Sequence, residues 1–390
     1  MEPATPQLLT LTQTPPAEHT KWTHIHLGAL RRNVQHLRQC APRSQIMGVV
    51  KANAYGHHID IVVPALAAEG VRHFGVATLA EALALKNLLA YAPPDMILVL
   101  GAMPTHQYAR AVGEGLQFML HTPGDLPLVA QLARNYGKRA QLHLKIDTGM
   151  GRVGFMPEEL PEVLEQCLNY AEEIEIVGVC SHMATADDPD PSHALSQIAA
   201  FAKCRRMCEN HALFATQRPL FHLANSDAAL KFPESHHDLI RPGIALYGYT
   251  GVEAQQAHLS PVLSLHSQIV QRRRVPAHHP IGYGKTFTTS HESELALVSI
   301  GYEDGIPRRL SNQFRVVYRG QFLPVIGRVS MDQCMVDLSD YQGDLPRVGE
   351  YMTLLSQDLP AYLWSERLDT IPYEILTGLG QRLPRIPIPA

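Results

Sequence analysis

The chain has 390 residues, of which 45% are hydrophobic and 18% charged, so it can bury a large core and is expected to form two domains. Its formal net charge of −4 leaves no basic surface for nucleic acid or an acidic membrane, and small molecules are the expected partners. The six cysteines include no CxxC pair, no apolar run approaches the roughly 20 residues that span a bilayer, and no signal peptide is recognisable, which together predict a cytoplasmic protein without a metal site or disulfide framework.

The N-terminal segment, residues 1–20, contains four prolines among Thr and Gln and is expected to be a flexible arm. The pattern from Trp22 to Leu27 then predicts a strand, and that from Gly28 to Gln39 predicts an amphipathic helix.

From Gln45 onward, short apolar runs alternate with longer segments of helical periodicity, for example 79–89, 124–136 and 192–210. There are eight runs, which end at Lys51, Thr78, Ala102, His121, Asp147, His182, Asn225 and Tyr247. Apolar runs that are each followed by a helix indicate parallel β/α units. We therefore predict a (β/α)8 barrel domain over 21–256, with its site at the carboxyl ends of the strands. An open doubly wound sheet is the alternative, and the lack of a GxGxxG turn counts against it.

Lys51 closes the first run, in the segment VVKANAYGH at residues 49–57. A lysine at the end of a buried strand is costly to desolvate unless its charge is neutralised or used. Its amine either reaches the surface, as strand-end lysines often do, or serves Schiff-base chemistry with a carbonyl compound such as pyridoxal phosphate.

Further polar residues, and residues of the kind that bind phosphate through the backbone, lie where later runs end. They are Lys145, Asp147 and Arg152 at the fifth run, His182 at the sixth, Asn225 and Ser226 at the seventh, and Arg241, Gly243, Ile244 and Tyr247 in the eighth. Each has an ordinary explanation, as a core histidine, a surface ion pair or a helix cap. Because such residues recur at the ends of several strands, and these ends meet at one rim of the barrel, they favour a functional site at that rim. Ser226, Gly243 and Ile244 follow strands seven and eight, where barrels commonly bind phosphate.

Beyond residue 256, short alternating runs replace the helical pattern, which predicts a smaller, mainly antiparallel β domain over 257–390. Three polar, glycine-bounded segments in it exceed the needs of a structural domain: IGYGKTF (281–287), IGYEDGIPRRL (300–310) and GRVSMDQCMVDLS (327–339). A last segment, 369–385, contributes Tyr373.

Taken together and in order, these segments resemble the bacterial alanine racemases over nearly the whole chain, from Trp22 to Arg385. VVKANAYGH alone would indicate only a fold type III pyridoxal phosphate protein. The resemblance implies pyridoxal 5'-phosphate on Lys51 and interconversion of L- and D-alanine, which supplies D-alanine for bacterial peptidoglycan. It also implies a head-to-tail homodimer in which Tyr283, Tyr302 and Met331 of one chain complete the site of the other.

The resemblance also implies roles for individual residues. Lys51 and Tyr283 are the two bases that racemisation needs on opposite faces of the substrate. His182 and Arg241 form the chain of neighbouring donor and cation that Tyr283 needs in order to act as a base, because the unperturbed pKa of a phenol is about 10. The cofactor-binding set is Lys51, Tyr55, Arg152, His182, Asn225, Ser226, Arg241, Gly243, Ile244 and Tyr373. The substrate-binding set is Arg152, Met331, Tyr302 and Asp332. Lys145 is expected to be carbamylated, as in some family members.

This sequence departs from the family pattern at several places. The N-terminal arm is longer, Ser330 replaces a frequent cysteine, Lys285 replaces a small residue after GYG, and Pro372 precedes Tyr373. None of these departures removes a chemical group from the site. A related decarboxylase or broader-specificity racemase and a non-catalytic pyridoxal phosphate carrier are the alternatives. The GYG and SMDQC segments count against the decarboxylase, and the added β domain counts against the carrier.

Overall fold

The structure is a computed structural model, and it describes residues 17–389. Its strands are β1 (Lys21–His26), β2 (Gln45–Val49), β3 (His73–Val76), β4 (Met96–Val99), β5 (Gln117–Leu120), β6 (Ala140–Lys145), β7 (Ile174–Cys180), β8 (Leu220–His222), β9 (Leu239–Ile240), β10 (Leu263–Val275), β11 (Pro280–Ile281), β12 (Phe287–Thr288), β13 (Ser293–Val298), β14 (Arg315–Tyr318), β15 (Gln321–Ile326), β16 (Cys334–Asp337), β17 (Tyr351–Leu355) and β18 (Arg385–Ile388).

The helical segments are α1 (Leu27–Cys40), α2 (Lys51–Tyr55), α3 (Ile59–Ala68), α4 (Leu79–Leu88), α5 (Tyr108–Glu114), α6 (Leu126–Tyr136), α7 (Leu160–Leu168), α8 (Ser192–Glu209), α9 (Ser226–Lys231), α10 (Glu253–Gln256), α11 (Tyr362–Leu368) and α12 (Pro372–Thr377). Among the described residues, none of these helices has the length and apolar content to cross a membrane. The segment α2 is a left-handed turn and is treated with the site below.

Two compact units are formed, one from residues 30–55 and 62–260 and the other from 17–29, 56–61 and 261–389. In the first unit, strands β2 to β9 form a parallel sheet in the order β8-β7-β6-β5-β4-β3-β2-β9. Backbone hydrogen bonds of 3.0 Å from Asp238 N–H to Phe221 O and from Arg241 N–H to Ala224 O connect β8 to β9. The sheet therefore closes, and the predicted (β/α)8 barrel is confirmed.

Local signals in the sequence explain where the barrel helices begin and end. Thr78 and Glu81 form a capping box at the start of α4. The Thr78 side chain accepts the Glu81 N–H, and the Glu81 side chain accepts the Thr78 N–H. Helices α5 and α6 both stop at a glycine in the left-handed conformation, Gly115 and Gly137. Strand interiors are apolar because both faces are covered, and Met47, Leu98 and Met119 meet in one buried cluster.

The eighth barrel run is shorter than the sequence predicted. Only Leu239–Ile240 is a strand, and Ile244–Tyr247, which had been assigned to that strand, is a 3-10 helix. Pro242 has no N–H to donate to a sheet, and this accounts for the early end of the strand. Arg241 thus directly follows the strand and Gly243 precedes the helical turn.

The second unit contains an eight-stranded sheet in the order β13-β16-β15-β14-β17-β10-β1-β18, and the pairing of β13 with β10 curls it back on itself. All its pairs are antiparallel except β1 with β18, so the predicted mainly antiparallel domain is confirmed. Val275, Leu295 and Ile326 are buried together in this unit.

The first strand of the chain lies in a different sheet from the one expected. The sequence assigned it to the barrel domain, but β1 pairs with β10 and β18 in the second unit. The flexible arm was expected over 1–20, and residues 1–16 fall outside the described range. Thr20, the last residue of that arm, directly precedes β1 and accepts a backbone hydrogen bond from Gln268 of β10 at 2.7 Å.

Candidate active site

Lys51 lies directly after a barrel strand, at the start of a left-handed turn. Ala52, Asn53, Ala54 and Tyr55 all have φ between 52° and 56°, a conformation that non-glycine residues adopt rarely and as single residues. Four in succession store strain that the surrounding structure must offset, which is typical of functional sites. The carboxylate of Glu81 stabilises the turn by accepting the N–H of Ala52 at 2.8 Å.

The Lys51 amine has a lowered pKa. Partial desolvation lowers this pKa most, the nearby Arg152 guanidinium lowers it further, and Glu81 opposes both. Because a neutral amine is the nucleophilic form, this environment suits a lysine that attacks a carbonyl carbon. The side chain of Lys51 is exposed and therefore accessible to a carbonyl compound, and its lowered pKa favours the Schiff-base explanation.

Asp147 organises the loop that presents Arg152. One carboxylate oxygen accepts the N–H groups of Gly149, Met150 and Gly151 at 2.9, 2.8 and 3.2 Å, and the other accepts the Arg152 N–H at 3.0 Å. Burial acts to raise the pKa of Asp147, but these four donors lower it below its ordinary value. An ionised Asp147 therefore determines the path of the loop.

Arg241 is the most constrained charged group of the barrel. Its side chain is buried, and it donates to the carbonyl oxygens of Ser181 and Leu223 at 2.7 and 3.0 Å. It also donates to Nδ1 of His222 at 2.8 Å and to Nδ1 of His182 at 3.2 Å. A guanidinium has no acceptor atom, so both histidines must accept through Nδ1 and carry their proton on Nε2.

The tautomer that Arg241 imposes on His222 also determines the hydrogen bonds of two further buried side chains, His143 and Gln117. His222 Nε2–H donates to His143 Nδ1 at 2.9 Å, and His143 Nε2–H in turn donates to Gln117 Oε1 at 2.9 Å. Burial and Arg241 lower the pKa of His143 to about 3, and they lower the pKa of His222 and of His182 well below the ordinary value. All three rings are therefore neutral at physiological pH, each in one tautomer.

An anion cradle lies where β8 and β9 end. Ser226 Oγ accepts the N–H of Gly243 at 2.9 Å and of Ala245 at 3.2 Å, which uses both of its lone pairs and leaves its O–H to donate. Among residues 17–389 no acceptor is found for the N–H of Ser226 or of Ile244, and both residues are buried. A Cβ on Gly243 would lie 2.3 Å from the hydroxyl of Tyr55, so only glycine fits there. These donors suit a phosphate group.

Lys145 is buried in the same barrel, and its amine donates to the carbonyl of Ile146 at 2.9 Å. Burial lowers its pKa, Arg241 and Arg152 lower it as well, and Cys180 and Asp147 oppose. Asn225 has a structural task, because its side chain caps α9 by accepting the N–H of Ala228 at 3.0 Å.

The remaining predicted site residues lie in the second unit. Tyr283, Met331 and Tyr302 are 71%, 50% and 40% exposed there, although large apolar side chains are usually covered. Asp332 follows Met331 and forms an ion pair with Arg382, and Tyr373 lies in α12. In the part of the chain that the structure describes, no group of three or more His, Cys, Asp or Glu side chains is placed to hold a metal ion.

The structure thus brings the predicted barrel residues together at one rim and adds three that the sequence did not single out: Glu81, His143 and His222. Glu81 stood in a recognisable capping-box pattern, T-x-x-E, which hid its second role. His222 and His143 are interior strand residues 79 positions apart, so no local pattern relates them.

A parallel barrel with a strand-end lysine of lowered pKa, an anion cradle and a following β domain is the arrangement of barrel-type pyridoxal phosphate proteins, and this chain is of that class. Two family models match it: alanine racemase, N-terminal domain, over residues 25–251, and alanine racemase, C-terminal domain, over residues 262–387. The chain belongs to the alanine racemase family.

Similar proteins and structures agree with this assignment. The chain is 37% identical to alanine racemase 2 of Caldanaerobacter subterraneus subsp. tengcongensis, over 93% of each chain, and 37% identical to the alanine racemase of Nostoc sp., over 94% of this chain and 95% of that one. Among solved structures, the alanine racemase of Streptomyces lavendulae superposes with a TM-score of 0.87 at 34% identity, covering 96% of this chain and 98% of that one. The Bartonella henselae enzyme, described with covalently bound pyridoxal phosphate, gives 0.85 at 32% identity over 95% and 100%.

The buried histidine chain generates a prediction about acid stability. The pKa of His143 is about 3 in the folded chain and about 6.5 in the unfolded one, so its contribution is complete above pH 6.5 and is lost as the pH falls toward 3. Between pH 6.5 and 5 the free energy of unfolding should fall by roughly 2 kcal/mol from this residue alone. Urea titrations at both pH values measure this fall, and in His143→Gln it should be smaller by that amount. The same pH dependence in both proteins would contradict a neutral His143.

Proposed function

We propose that this chain interconverts L- and D-alanine with pyridoxal phosphate held on Lys51. The family assignment supports the reaction and the cofactor, and the observation that carries the residue assignment is the lowered pKa of the Lys51 amine beside an anion cradle at the same barrel rim. The cofactor, when bound, delocalises the electron pair left at Cα by the departing proton. D-alanine supply for bacterial peptidoglycan is the role known for the family.

The cradle and Arg241 have distinct tasks in this proposal. Ser226 and Ile244 hold the phosphate through their backbone N–H groups and the Ser226 hydroxyl. Gly243, whose own N–H donates to Ser226 Oγ, lines the cradle beside Tyr55, and Tyr373 is a further phosphate ligand by family resemblance. Asn225 keeps the cradle in place as the cap of α9. Arg241 is a permanent cation whose two terminal nitrogens are held by four acceptors, and it keeps the cofactor's pyridine nitrogen unprotonated, which limits side reactions.

Proton transfer requires a base on each face of the substrate, since a proton returned to the face it left regenerates the starting isomer. Lys51 Nζ is the base for D-alanine, and Tyr283 Oη is the base for L-alanine. His182 carries its proton on Nε2, as its bond to Arg241 requires, so this nitrogen is a donor that can stabilise the phenolate of Tyr283. Arg152 and the backbone N–H of Met331 bind the substrate carboxylate, and Tyr302 and Asp332 flank it.

Tyr283 and Met331 serve a second copy of the chain in this proposal. Their exposure in their own unit supports a homodimer with shared sites, because a catalytic phenol must be desolvated when it acts. The sequence-based domain bounds, 21–256 for the barrel and 257–390 for the β domain, differ from the two compact units at residues 21–29, 56–61 and 257–260.

Lys145 is proposed to react with carbon dioxide. Its lowered pKa raises the fraction of neutral amine, which adds to the carbon of CO2 and releases one proton, and the product is a carbamate anion. This anion removes the repulsion between Lys145 and the two nearby guanidiniums and can orient Arg152.

The reaction itself is tested with purified protein and L-alanine. Optical rotation should fall to zero without loss of the amino acid. Consumption of alanine would indicate a decarboxylase, an unchanged rotation would indicate a carrier, and comparable turnover of serine would indicate a broader racemase. Borohydride should abolish the visible band and leave a mass adduct on Lys51. Lys51→Ala should lose at least about a hundredfold in kcat, whereas Lys86→Ala, which removes an exposed lysine paired with Glu114, should change neither band nor rate. An adduct on another lysine would refute the assignment of Lys51.

The roles of the two bases are tested with Tyr283→Phe. Racemisation should become far slower in both directions, because each direction uses both bases and the equilibrium constant fixes the ratio of forward to reverse kcat/KM. Lys51 should still exchange the Cα proton of D-alanine with solvent deuterium, while exchange of L-alanine becomes far slower. Tyr351→Phe removes another exposed hydroxyl of the same unit and should leave both exchanges unchanged. Equal losses from both enantiomers in Tyr283→Phe would refute the assignment.

The carbamate on Lys145 is tested in protein never exposed to low pH. Electron density at high resolution should extend beyond Nζ by three atoms, and 13C-labelled bicarbonate should give a carbamate carbon signal that is absent in Lys145→Asn. Density for a bare amine would contradict the modification.

The shared site is tested by mixing two inactive variants. Lys51→Ala and Tyr283→Phe chains should regain activity after subunit exchange, because a mixed dimer holds one intact site. Random exchange at equal amounts restores about a quarter of the sites, since half of the dimers are mixed. Each variant exchanged with itself is the control. No recovery after verified exchange would show that each site lies within one chain.

A further inference from the structure

An ion network in the second unit surrounds a fully buried carboxylate, Asp304. Its oxygens accept from Lys21 Nζ at 2.7 Å, from Arg382 Nε at 3.1 Å and from the N–H of Gly301 at 3.0 Å. Lys21 belongs to β1 and Arg382 follows α12, so the network joins segments far apart in the chain. A buried carboxylate needs such partners, because an unpaired charge in the interior is strongly unfavourable.

Arg382 also reaches out of this buried centre. Its Nη2 donates to Asp332 Oδ1 at 2.8 Å, and Asp332 is the residue that follows Met331. One end of the bridge is buried at Asp304 and the other is exposed, with 54% of the Asp332 side chain open to solvent. The guanidinium therefore connects a rigid core to an exposed loop.

The loop itself is held against the segment that begins at Gly301. The N–H groups of Tyr302 and Glu303 donate to the carbonyl oxygens of Ser330 and Met331 at 3.0 and 3.1 Å. A Cβ on Gly301 would lie 2.3 Å from the Ser330 oxygen, so the close approach requires glycine.

The direction of the Met331 N–H follows from these contacts. In a trans peptide the C=O and N–H point in opposite directions, and no peptide in the described residues is cis. Because the Ser330 oxygen faces Tyr302, the Met331 N–H faces away from that segment. It has no acceptor among the described residues and is available to a ligand.

We propose that Arg382 is a positioning residue for substrate carboxylate binding: by tying Asp332 to the buried Asp304, it fixes the plane of the Ser330–Met331 peptide and the direction of the Met331 N–H. The inference rests on the proposed role of that N–H and assigns to Arg382 and Lys21 a task beyond it. The two hydrogen bonds from Tyr302 and Glu303 fix one side of the loop, and the Asp332 bridge fixes the other. Without the bridge the peptide can rotate, and the bound carboxylate must then order it at the expense of affinity.

The test separates binding from chemistry. In Arg382→Gln, KM for L-alanine and the inhibition constant of propionate, which carries the carboxylate but no amine, should both rise by about tenfold, while kcat changes by less than about threefold. Arg382→Lys keeps the charge and should show a smaller rise. The matched control is Arg274→Gln, which removes an exposed arginine that pairs with Glu292 and Glu294 in the same unit and should leave KM and the inhibition constant unchanged.

Hydrogen exchange of the backbone provides a second readout that does not use activity. The amides of Tyr302 and Glu303 should exchange faster in Arg382→Gln than in the wild type or in Arg274→Gln, because their acceptors lie in the loosened loop. If Arg382→Gln does not fold, Asp332→Ala removes the acceptor at the exposed end of the bridge and leaves Asp304 paired, and the same changes are expected.

Unchanged binding constants and exchange in a folded Arg382→Gln or Asp332→Ala would overturn the inference, as would a loss confined to kcat or an equal loss in Arg274→Gln. If the wild type racemises alanine and these variants bind alanine normally, only the positioning role is refuted. A wild type that does not racemise alanine refutes the proposed function instead.

Discussion

The barrel site depends on a guanidinium that has been removed from water. Arg241 is 5% exposed, and the desolvation of a charge is affordable only where its donors are satisfied. Two carbonyl oxygens and two imidazole nitrogens accept from its two terminal nitrogens, and this fixes the direction of the side chain. The requirement passes on to His222 and His143, which must be neutral and in one tautomer each. One buried cation thereby determines the protonation of three histidines in the barrel.

Three carboxylates stabilise irregular segments of the backbone by accepting hydrogen bonds from their N–H groups. Asp147 gathers four N–H groups of the loop that presents Arg152, Glu81 holds the left-handed turn after Lys51, and Asp304 anchors the segment at Gly301. In each case a side chain supplies the acceptors that an irregular segment lacks, because loops have no helix or sheet partners of their own. The functional segments of this fold are irregular in conformation yet well determined by hydrogen bonds.

The two units divide the chemical groups between them. The barrel contains the anion cradle, the amine of lowered pKa and the buried cation, all of which need a rigid and partly dry environment. The second unit exposes the phenol of Tyr283, and it exposes Met331 on a loop that Asp332 and Arg382 connect to a buried ion network. The Met331 loop can therefore be exposed to solvent while it keeps its own geometry.

The sequence by itself determined the class of each unit and most of the rim, because β/α periodicity is local and the carboxyl ends of parallel strands necessarily meet at one face. Lys51, Arg152, Ser226 and Arg241 could be named on that ground alone. Only the tertiary structure decided which strands pair and which side chains meet: β1 reads locally as a strand, yet its partners lie some 240 or more residues away, in β10 and β18. The same holds for the contact of His143 with His222 and for that of Arg382 with Asp332. Hydrogen bonds depend on distance in space, which a local pattern of residues does not encode.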